Sequence, residues 1–265
     1  GDSTKYIITS YTETDNTDTV LLYKQGIAEN GNLKYEKGNG GQNTGEVTTT
    51  IPSTEKFGHG FVVSEDGTRL LISDPHEAVT LDGRDPAKTL GVVYIINTSN
   101  SPNTVDCSFS EADIIRSMDN DLSRNDVYYF GKELDMTSDG KRVVVASHGR
   151  VSIFDINGSG AGNTTVHQVG SSITSDISYQ TGFAIYGVSI NQDGTIVARL
   201  GYNFEDAENS SASVHKYNGS DWVKMGSDIS YYGITNGGEH PHPTHGNRKM
   251  IQLDDLGTTM VIGYP

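Results

Sequence analysis

One pattern recurs four times along this chain of 265 residues and constrains its fold more than any other feature. In each copy a short apolar segment leads into a glycine turn, and a second apolar, mostly β-branched segment follows. The copies occupy residues 57–73, 130–146, 186–198 and 245–262, with turn glycines Gly67, Gly140, Gly194 and Gly257. Glycine adopts a positive φ without steric cost, so an Asp-Gly pair between two such segments is typical of a β-hairpin. The repeat therefore predicts a series of hairpins.

Further strand-like segments follow each complete hairpin. Third strands are predicted at residues 91–96, 150–154 and 213–217, and fourth strands at 166–173 and 222–229, which align as hydrophobic-Gly-Ser-x-Ile. The turn glycines are 73, 54 and 63 residues apart, which is too long for a solenoid coil and suits a propeller blade with long loops. A β-sandwich is the alternative, although it does not require the same four-strand order to recur. We predict an all-β propeller of four-stranded antiparallel blades.

The predicted propeller is a single domain over residues 1–265, with blade segments of approximately 1–50, 51–125, 126–178, 179–235 and 236–265. Residues 6–9, 19–24 and 33–37 match the second, third and fourth strands of a blade, whereas residues 249–253 and 259–264 match the first two. The prediction is therefore seventeen strands in about four to five blades, with ends that are incomplete or closed by strand exchange. Strand addition between chains would build a head-to-tail filament.

The best copy of the repeat carries a family resemblance. Phe57-Gly58, Ser64, Asp66-Gly67, Ser73-Asp74-Pro75 and the Gly91 to Tyr94 segment resemble the FG-GAP repeat of integrin alpha-subunit heads and related extracellular propellers. This resemblance implies an extracellular propeller with an adhesive role. Lactonase-like and WD40-like propellers also share Ser-x-Asp-Gly followed by an apolar strand, and residues 137–147 resemble those families as well.

The net charge of the chain limits the classes of molecule that it can bind. It has 34 acidic against 19 basic side chains, a formal net charge of −15, which disfavours nucleic acid and anionic lipid as partners. The longest apolar run has five residues, whereas a membrane-spanning helix needs about 20. The single cysteine, Cys107, excludes an internal disulfide. We expect binding to proteins, through self-association or to other extracellular proteins, with glycans as an alternative.

Asn-x-Ser/Thr sequons suggest secretion. Five of them fall in or beside predicted loops, where a glycan could project without disturbing a core. A chain this rich in Asn, Ser and Thr also produces sequons by chance. The predicted glycosylation sites are Asn97, Asn157, Asn163, Asn209 and Asn218.

Two kinds of segment are candidate metal sites, although we predict no cofactor. The resemblance implies Ca²⁺ in an acidic loop between the second and third strands of a blade. The acidic loops contain Glu13, Asp15 and Asp18; Asp74, Glu77, Asp82 and Asp85; and Glu205, Asp206 and Glu208. None reads Asp-x-Asp-x-Asp-Gly, so ordinary solvated loops are the alternative. His240, His242 and His245 could hold Zn²⁺ or Cu²⁺, or belong to a proline-stiffened loop.

Catalytic motifs are absent from the sequence. It contains no Gly-x-Ser-x-Gly, no His-Glu-x-x-His and no phosphate-binding glycine loop. Asp106 should raise the pKa of Cys107 and disfavour a thiolate nucleophile. Trp222 is predicted to pack in a blade, with sugar stacking as the alternative.

We therefore predict a secreted, non-enzymatic structural or adhesive propeller, with no catalytic residue. A lactonase-like or glycan-cleaving enzyme and a Ca²⁺-dependent ligand-binding head are the alternatives. An enzyme should gather carboxylates or histidines from several blades around the central channel.

Overall fold

The computed structural model describes part of the chain in full and part by its backbone. Side chains are described at residues 58–75, 91–98, 106–109, 129–147, 149–174, 185–201, 211–230 and 251–263. The backbone alone is described in further strand residues at 6–12, 18–27, 33–37, 46–47, 78–81, 84–89, 104–105, 110, 183–184 and 202–203. These residues form 22 β-strands and contain no helix.

The strands follow one another in a regular order. They are β1 (Tyr6–Thr12), β2 (Asp18–Ile27), β3 (Leu33–Lys37), β4 (Glu46–Val47), β5 (Phe61–Val63), β6 (Arg69–Asp74), β7 (Ala78–Leu81), β8 (Arg84–Thr89), β9 (Val92–Asn97), β10 (Thr104–Ser110), β11 (Glu133–Met136), β12 (Arg142–Ala146), β13 (Arg150–Asn157), β14 (Thr165–Gln168), β15 (Ile173–Thr174), β16 (Phe183–Ile190), β17 (Ile196–Asn203), β18 (Ser211–Tyr217), β19 (Trp222–Lys224), β20 (Ile229–Ser230), β21 (Ile251–Leu253) and β22 (Met260–Ile262).

The strands assemble into successive antiparallel sheets. The second, third and fourth blades have the orders β5-β6-β9-β10, β11-β12-β13-β14 and β16-β17-β18-β19. The first blade contains β1-β2-β3, and the hairpin β21-β22 begins a fifth. The first strand of each blade packs beside the first strand of the next, from β5 to β11, β16 and β21. The fold is thus a β-propeller, as the repeat predicts, and these adjacent first strands form its inner side, toward the central channel expected of a propeller.

The fourth strand of a blade differs from its prediction. Residues 166–173 and 222–229 were each expected to form one strand, but β14 and β15 pair separately with β13, and β19 and β20 pair separately with β18. The repeated hydrophobic-Gly-Ser-x-Ile pattern therefore marks an interruption of the strand. β4 pairs with β2 in the same way. The hairpin β7-β8, in a segment predicted to be a loop, accounts for the other two strands beyond the expected seventeen.

The hairpin turns repeat one set of hydrogen bonds. The amide of each turn glycine donates to the carbonyl three residues earlier at 2.8–3.0 Å. The side chain of that earlier residue accepts the amide two positions after the glycine, also at 2.8–3.0 Å. The accepting side chains are Ser64, Thr137, Asn191 and Asp254. Four different residue types thus close the same turn, because each places an oxygen at the same point.

Apolar clusters between consecutive blades form the core. Phe130, Leu134 and Met136 of the third blade pack against Leu71 and Ile95 of the second. A second cluster joins the third and fourth blades, and a third joins the fourth blade to β21. No helix in the described residues is long and apolar enough to span a membrane.

Candidate active site

Residues 129–132, which precede β11, are fixed in place by the buried side chain of Phe130. Phe130 is fully buried, and its ring makes edge-on contacts with Phe109 and Phe154, with centroids 5.6 and 5.9 Å away. Aromatic pairs of this geometry contribute about 0.5–1.5 kcal/mol each beyond the area they bury. Phe130 therefore anchors the residues that follow it.

A tight turn connects this anchor to β11. The amide of Lys132 donates to the carbonyl of Tyr129 at 3.0 Å, across Phe130 and Gly131. Gly131 has φ +90°, and an ideal Cβ there would lie 2.6 Å from the Cβ of Ser73, so only glycine fits. Tyr129 has φ +64°, the only positive φ outside glycine in the described part of the chain. A bulky residue in this conformation costs about 1–3 kcal/mol, and such strain concentrates at functional sites.

The turn presents Lys132 to the next blade. Its Nζ lies 4.0 Å from the centroid of the Tyr186 ring, a cation–π contact between the third and fourth blades. Tyr186 occupies a β-bulge in β16, where the register with β17 shifts between Ile185 and Gly187. Bulges redirect a side chain out of the ordinary alternation of a strand. The bulge therefore explains why a tyrosine of an inner strand covers this lysine.

Burial lowers the pKa of Lys132 to about 8 from its ordinary value of 10.5 because desolvation disfavours the ammonium, while the charge of Glu133 acts in the opposite direction. Within the residues described by the structure, Lys132 has no ion-pair partner. A lysine of this kind is neutral in an appreciable fraction near neutral pH, so it can accept a proton or attack an electrophile.

A buried polar chain lies among the inner strands. Ser189 Oγ donates to Asp135 Oδ2 at 3.0 Å, and it accepts the amide of Leu253 at 3.0 Å. The amide of Ile190 donates to the same Asp135 oxygen at 2.9 Å. Ser189 is fully buried, and Asp135 is buried too. This chain links β11, β16 and β21, and its burial makes it a support of the channel wall and not a reactive group.

Sequence reasoning did not single out Lys132. The signal was present, because Lys132 follows the Phe-Gly pair of its repeat, and His59 occupies the same position in the second blade. His59 is partly exposed, immediately before Gly60 and β5. The position after Phe-Gly thus places basic side chains where two blades begin at the channel.

The structure describes only some of the residues predicted as metal ligands. Asp74 is fully buried at the end of β6, unlike a residue of a solvated loop. Asp18 and Asp85 lie in β2 and β8, where only the backbone is described. No group of three or more His, Cys, Asp or Glu among the described side chains could hold a metal ion. The remaining candidates, Glu13, Asp15, Glu77, Asp82, Glu205, Asp206, Glu208, His240, His242 and His245, lie outside the described residues.

The two other singled-out residues, Cys107 and Trp222, are structural. The pKa of the Cys107 thiol is raised to about 11, chiefly by burial and further by Asp106, which disfavours a thiolate. Trp222 is buried, and its Nε1 donates to the carbonyl of Val169 at 2.7 Å. It packs against Gly170 at the interruption of the fourth strand in the third blade, so the packing interpretation is correct.

Three predicted glycosylation sites are exposed. They are Asn157, Asn163 and Asn218. Asn97 is partly exposed at the end of β9, and Asn209 lies outside the described residues. Their occupancy stays a prediction.

No protein-family model and no curated protein matches the chain. Solved structures match at low identity. A putative 6-phosphogluconolactonase from Bacteroides uniformis is 11% identical, with a TM-score of 0.47 over 96% of this chain and 61% of that one. The periplasmic gluconolactonase of Pseudomonas aeruginosa is 13% identical, with a TM-score of 0.45 over 85% and 54%. The Cps50 (Swd1) β-propeller domain from Myceliophteria thermophila is 12% identical, with a TM-score of 0.42 over 78% and 55%.

The chain therefore spans less than two thirds of the length of each of these proteins. Two of the three are named as gluconolactonases, which are enzymes, and none of the three is named as an FG-GAP or integrin protein. The prediction of a non-enzymatic structural or adhesive protein that assembles into a filament is wrong by this comparison. The FG-GAP resemblance stays a prediction.

Proposed function

We propose that this protein is a propeller enzyme that hydrolyses small lactones at the end of the channel where β11 begins. The observation that carries the proposal is Lys132, an amine that is partly buried against Tyr186, lacks an ion-pair partner among the described residues and has a pKa of about 8. The ideal pKa of a general base lies near the operating pH, and ordinary lysines are far from it. The names of similar solved structures suggest lactones as the first substrates to assay.

The reaction needs one proton carrier and a water molecule. Neutral Lys132 Nζ takes a proton from water, and the oxygen of that water adds to the lactone carbonyl. The ring C–O bond then breaks, and the leaving oxygen takes the proton from the ammonium, which yields the hydroxy acid and restores the neutral amine. The Tyr186 ring face stabilises the ammonium while it holds the proton.

A lactonase suits the described residues better than a glycosidase. A glycosidase needs two carboxyl groups that flank the scissile bond. Among the described residues of β11 and the turn before it, Glu133 is the partly exposed carboxylate, whereas Asp135 of the same strand is buried. Hydrolysis of an ester within a ring requires less activation than hydrolysis of a glycosidic bond, so a single general base is sufficient.

The experiment is the pH profile of kcat/KM for gluconolactone, with uncatalysed hydrolysis subtracted at each pH. Because the neutral amine is the active form, kcat/KM should rise with pH and level off above about pH 8. Lys132→Met should lower kcat/KM by about 10²–10⁴-fold, the usual contribution of a general base. The matched control is Lys141→Met, because Lys141 is exposed and paired with Asp139 at 3.2 Å. Equal activity of the two variants would refute the proposal.

We also propose that the protein is secreted and that its sequons carry glycans. The exposure of Asn157, Asn163 and Asn218 supports this, because a glycan at these positions would project into solvent. Mass spectrometry of the protein from a secreting eukaryotic host, before and after glycan removal, tests it. Self-association and binding to extracellular proteins or glycans stay predictions.

A further inference from the structure

We propose that Lys132 condenses with the carbonyl group of small aldehydes and ketones, so that the same end of the channel supports imine chemistry. This inference shares its lysine with the proposed lactonase site, but it does not depend on lactone hydrolysis.

The surroundings of Lys132 differ from those of Lys141 and Lys224. Lys141 is paired with Asp139 at 3.2 Å, and Lys224 is paired with Asp228 at 2.6 Å. A nearby carboxylate keeps a lysine charged, and a charged amine has no lone pair for attack. Lys132 has instead an aromatic face on one side and partial exposure to solvent.

The backbone restricts where the amine can go. Lys132 ends a turn that is closed by a hydrogen bond from its backbone amide to the carbonyl of Tyr129, and the buried Phe130 anchors that turn. The first strand of the blade begins immediately after it. An amine held at a defined place loses less entropy when it binds a substrate carbonyl than an amine on a mobile surface segment does.

The condensation requires no reactant other than the Lys132 amine and the carbonyl compound. The Nζ lone pair adds to the carbonyl carbon, and the carbonyl oxygen takes up a proton to give a carbinolamine. Loss of the hydroxyl group as water then leaves a C=N bond between Nζ and the substrate carbon. The net change is amine plus carbonyl to imine plus water. The protonated imine is a cation, and the Tyr186 ring face would stabilise it as it does the ammonium.

The proton equilibrium supports the same reactivity. With a pKa of about 8, roughly a tenth of Lys132 is neutral at pH 7. For an ordinary lysine the neutral fraction is smaller by a factor on the order of 10². The weaker basicity reduces intrinsic nucleophilicity, so we expect a net advantage of about tenfold in labelling rate.

Reductive trapping on the wild-type chain tests the inference. The protein is incubated at about pH 7 with glycolaldehyde and cyanoborohydride, which reduces the imine to a stable secondary amine, and the labelled lysines are identified by peptide mass spectrometry. Lys132 should be labelled about tenfold faster than Lys141 and Lys224. Its labelling rate should level off above about pH 8, whereas theirs should keep rising. A Lys132→Arg variant should lose this label and retain the others.

The outcomes separate the two proposals. Labelling of Lys132 no faster than that of Lys141 and Lys224 overturns the imine inference, whatever the lactonase assay gives. Fast labelling without lactone hydrolysis supports the imine inference and refutes the proposed function. Because the main comparison uses only the wild-type chain, a variant that fails to fold does not affect it.

Discussion

Replacing Gly91 by alanine should destabilise the protein and disturb the turn that presents Lys132. Gly91 precedes β9 with φ +80°, and an ideal Cβ there would lie 2.3 Å from the carbonyl oxygen of Phe130 and 2.8 Å from its amide nitrogen. Both atoms are backbone, so no side-chain rotation relieves the contact. The left-handed conformation costs about 1–2 kcal/mol for alanine, and overpacking costs about 1–3 kcal/mol more. We expect a loss of about 2–5 kcal/mol in the free energy of unfolding.

The matched control is Gly162→Ala. Gly162 has almost the same φ, +79°, but its Cβ would meet nothing within 4 Å, so this variant should lose only the conformational part, about 1–2 kcal/mol. Urea unfolding measures both losses from the midpoint and its slope. In addition, Gly91→Ala should slow the labelling of Lys132 by glycolaldehyde, and Gly162→Ala should not. Equal midpoints for the two variants would refute the idea that close packing of the second blade on Phe130 holds the turn.

Three further predictions concern single side chains. Lys132→Met should raise stability at pH 7 by on the order of 1–3 kcal/mol, because it removes a desolvated charge. The folded pKa lies below the unfolded one, so wild-type stability should rise between about pH 8 and 10.5, and calorimetric melting temperatures of the variant should lack that rise. Trp222→Phe removes the donor to the buried carbonyl of Val169 and should cost about 1–3 kcal/mol in urea unfolding; no loss would contradict the packing role. Ser189→Ala should cost about 2–4 kcal/mol because a buried carboxylate loses one of its donors and the amide of Leu253 loses its acceptor. Ser152→Ala is its control, because Ser152 is equally buried and bonds only another hydroxyl at 2.8 Å; this variant should lose about 1 kcal/mol, and equal losses would count against the role of the polar chain.

The hairpins were predictable because their determinants are local. An acceptor side chain three residues before a glycine, with the glycine at positive φ, lies within one short segment, so Ser64 and Gly67 or Thr137 and Gly140 can be recognised without knowledge of the rest of the chain. The order of strands in a blade follows from the order of these segments.

The interruption of the fourth strand was not predictable in the same way. Residues 166–173 carry apolar side chains at Val166, Val169 and Ile173 and are predicted as one strand, but Gly170 adopts a positive φ and receives Trp222 and Asp221 from the next blade. The amide of Ser171 bonds the Asp221 carboxylate, which also lowers the pKa of that group. Asp221 lies fifty residues away from Ser171 along the chain, so the local pattern cannot reveal this contact with the next blade.

Lys132 escaped prediction for a related reason. Its altered pKa depends on burial and on a tyrosine ring that a bulge in another blade directs toward it. A lysine is ordinarily a solvated surface group, and no catalytic motif in the sequence includes Lys132. The repeat alignment offers the one usable clue, because it places both His59 and Lys132 directly after a Phe-Gly pair.

The contrast between the two ends of the blades also argues for the location of the site. At the hairpin end, four turns close with the same bonds, as expected where the only requirement is a stable turn. At the other end, the positions eight residues before the turn glycine hold His59, Lys132 and Tyr186 in the second, third and fourth blades, Tyr129 adopts a strained φ, and a lysine is desolvated at a cost to stability. Departures from local rules at this end support the proposed site, and Lys132 is the residue through which that proposal can be tested.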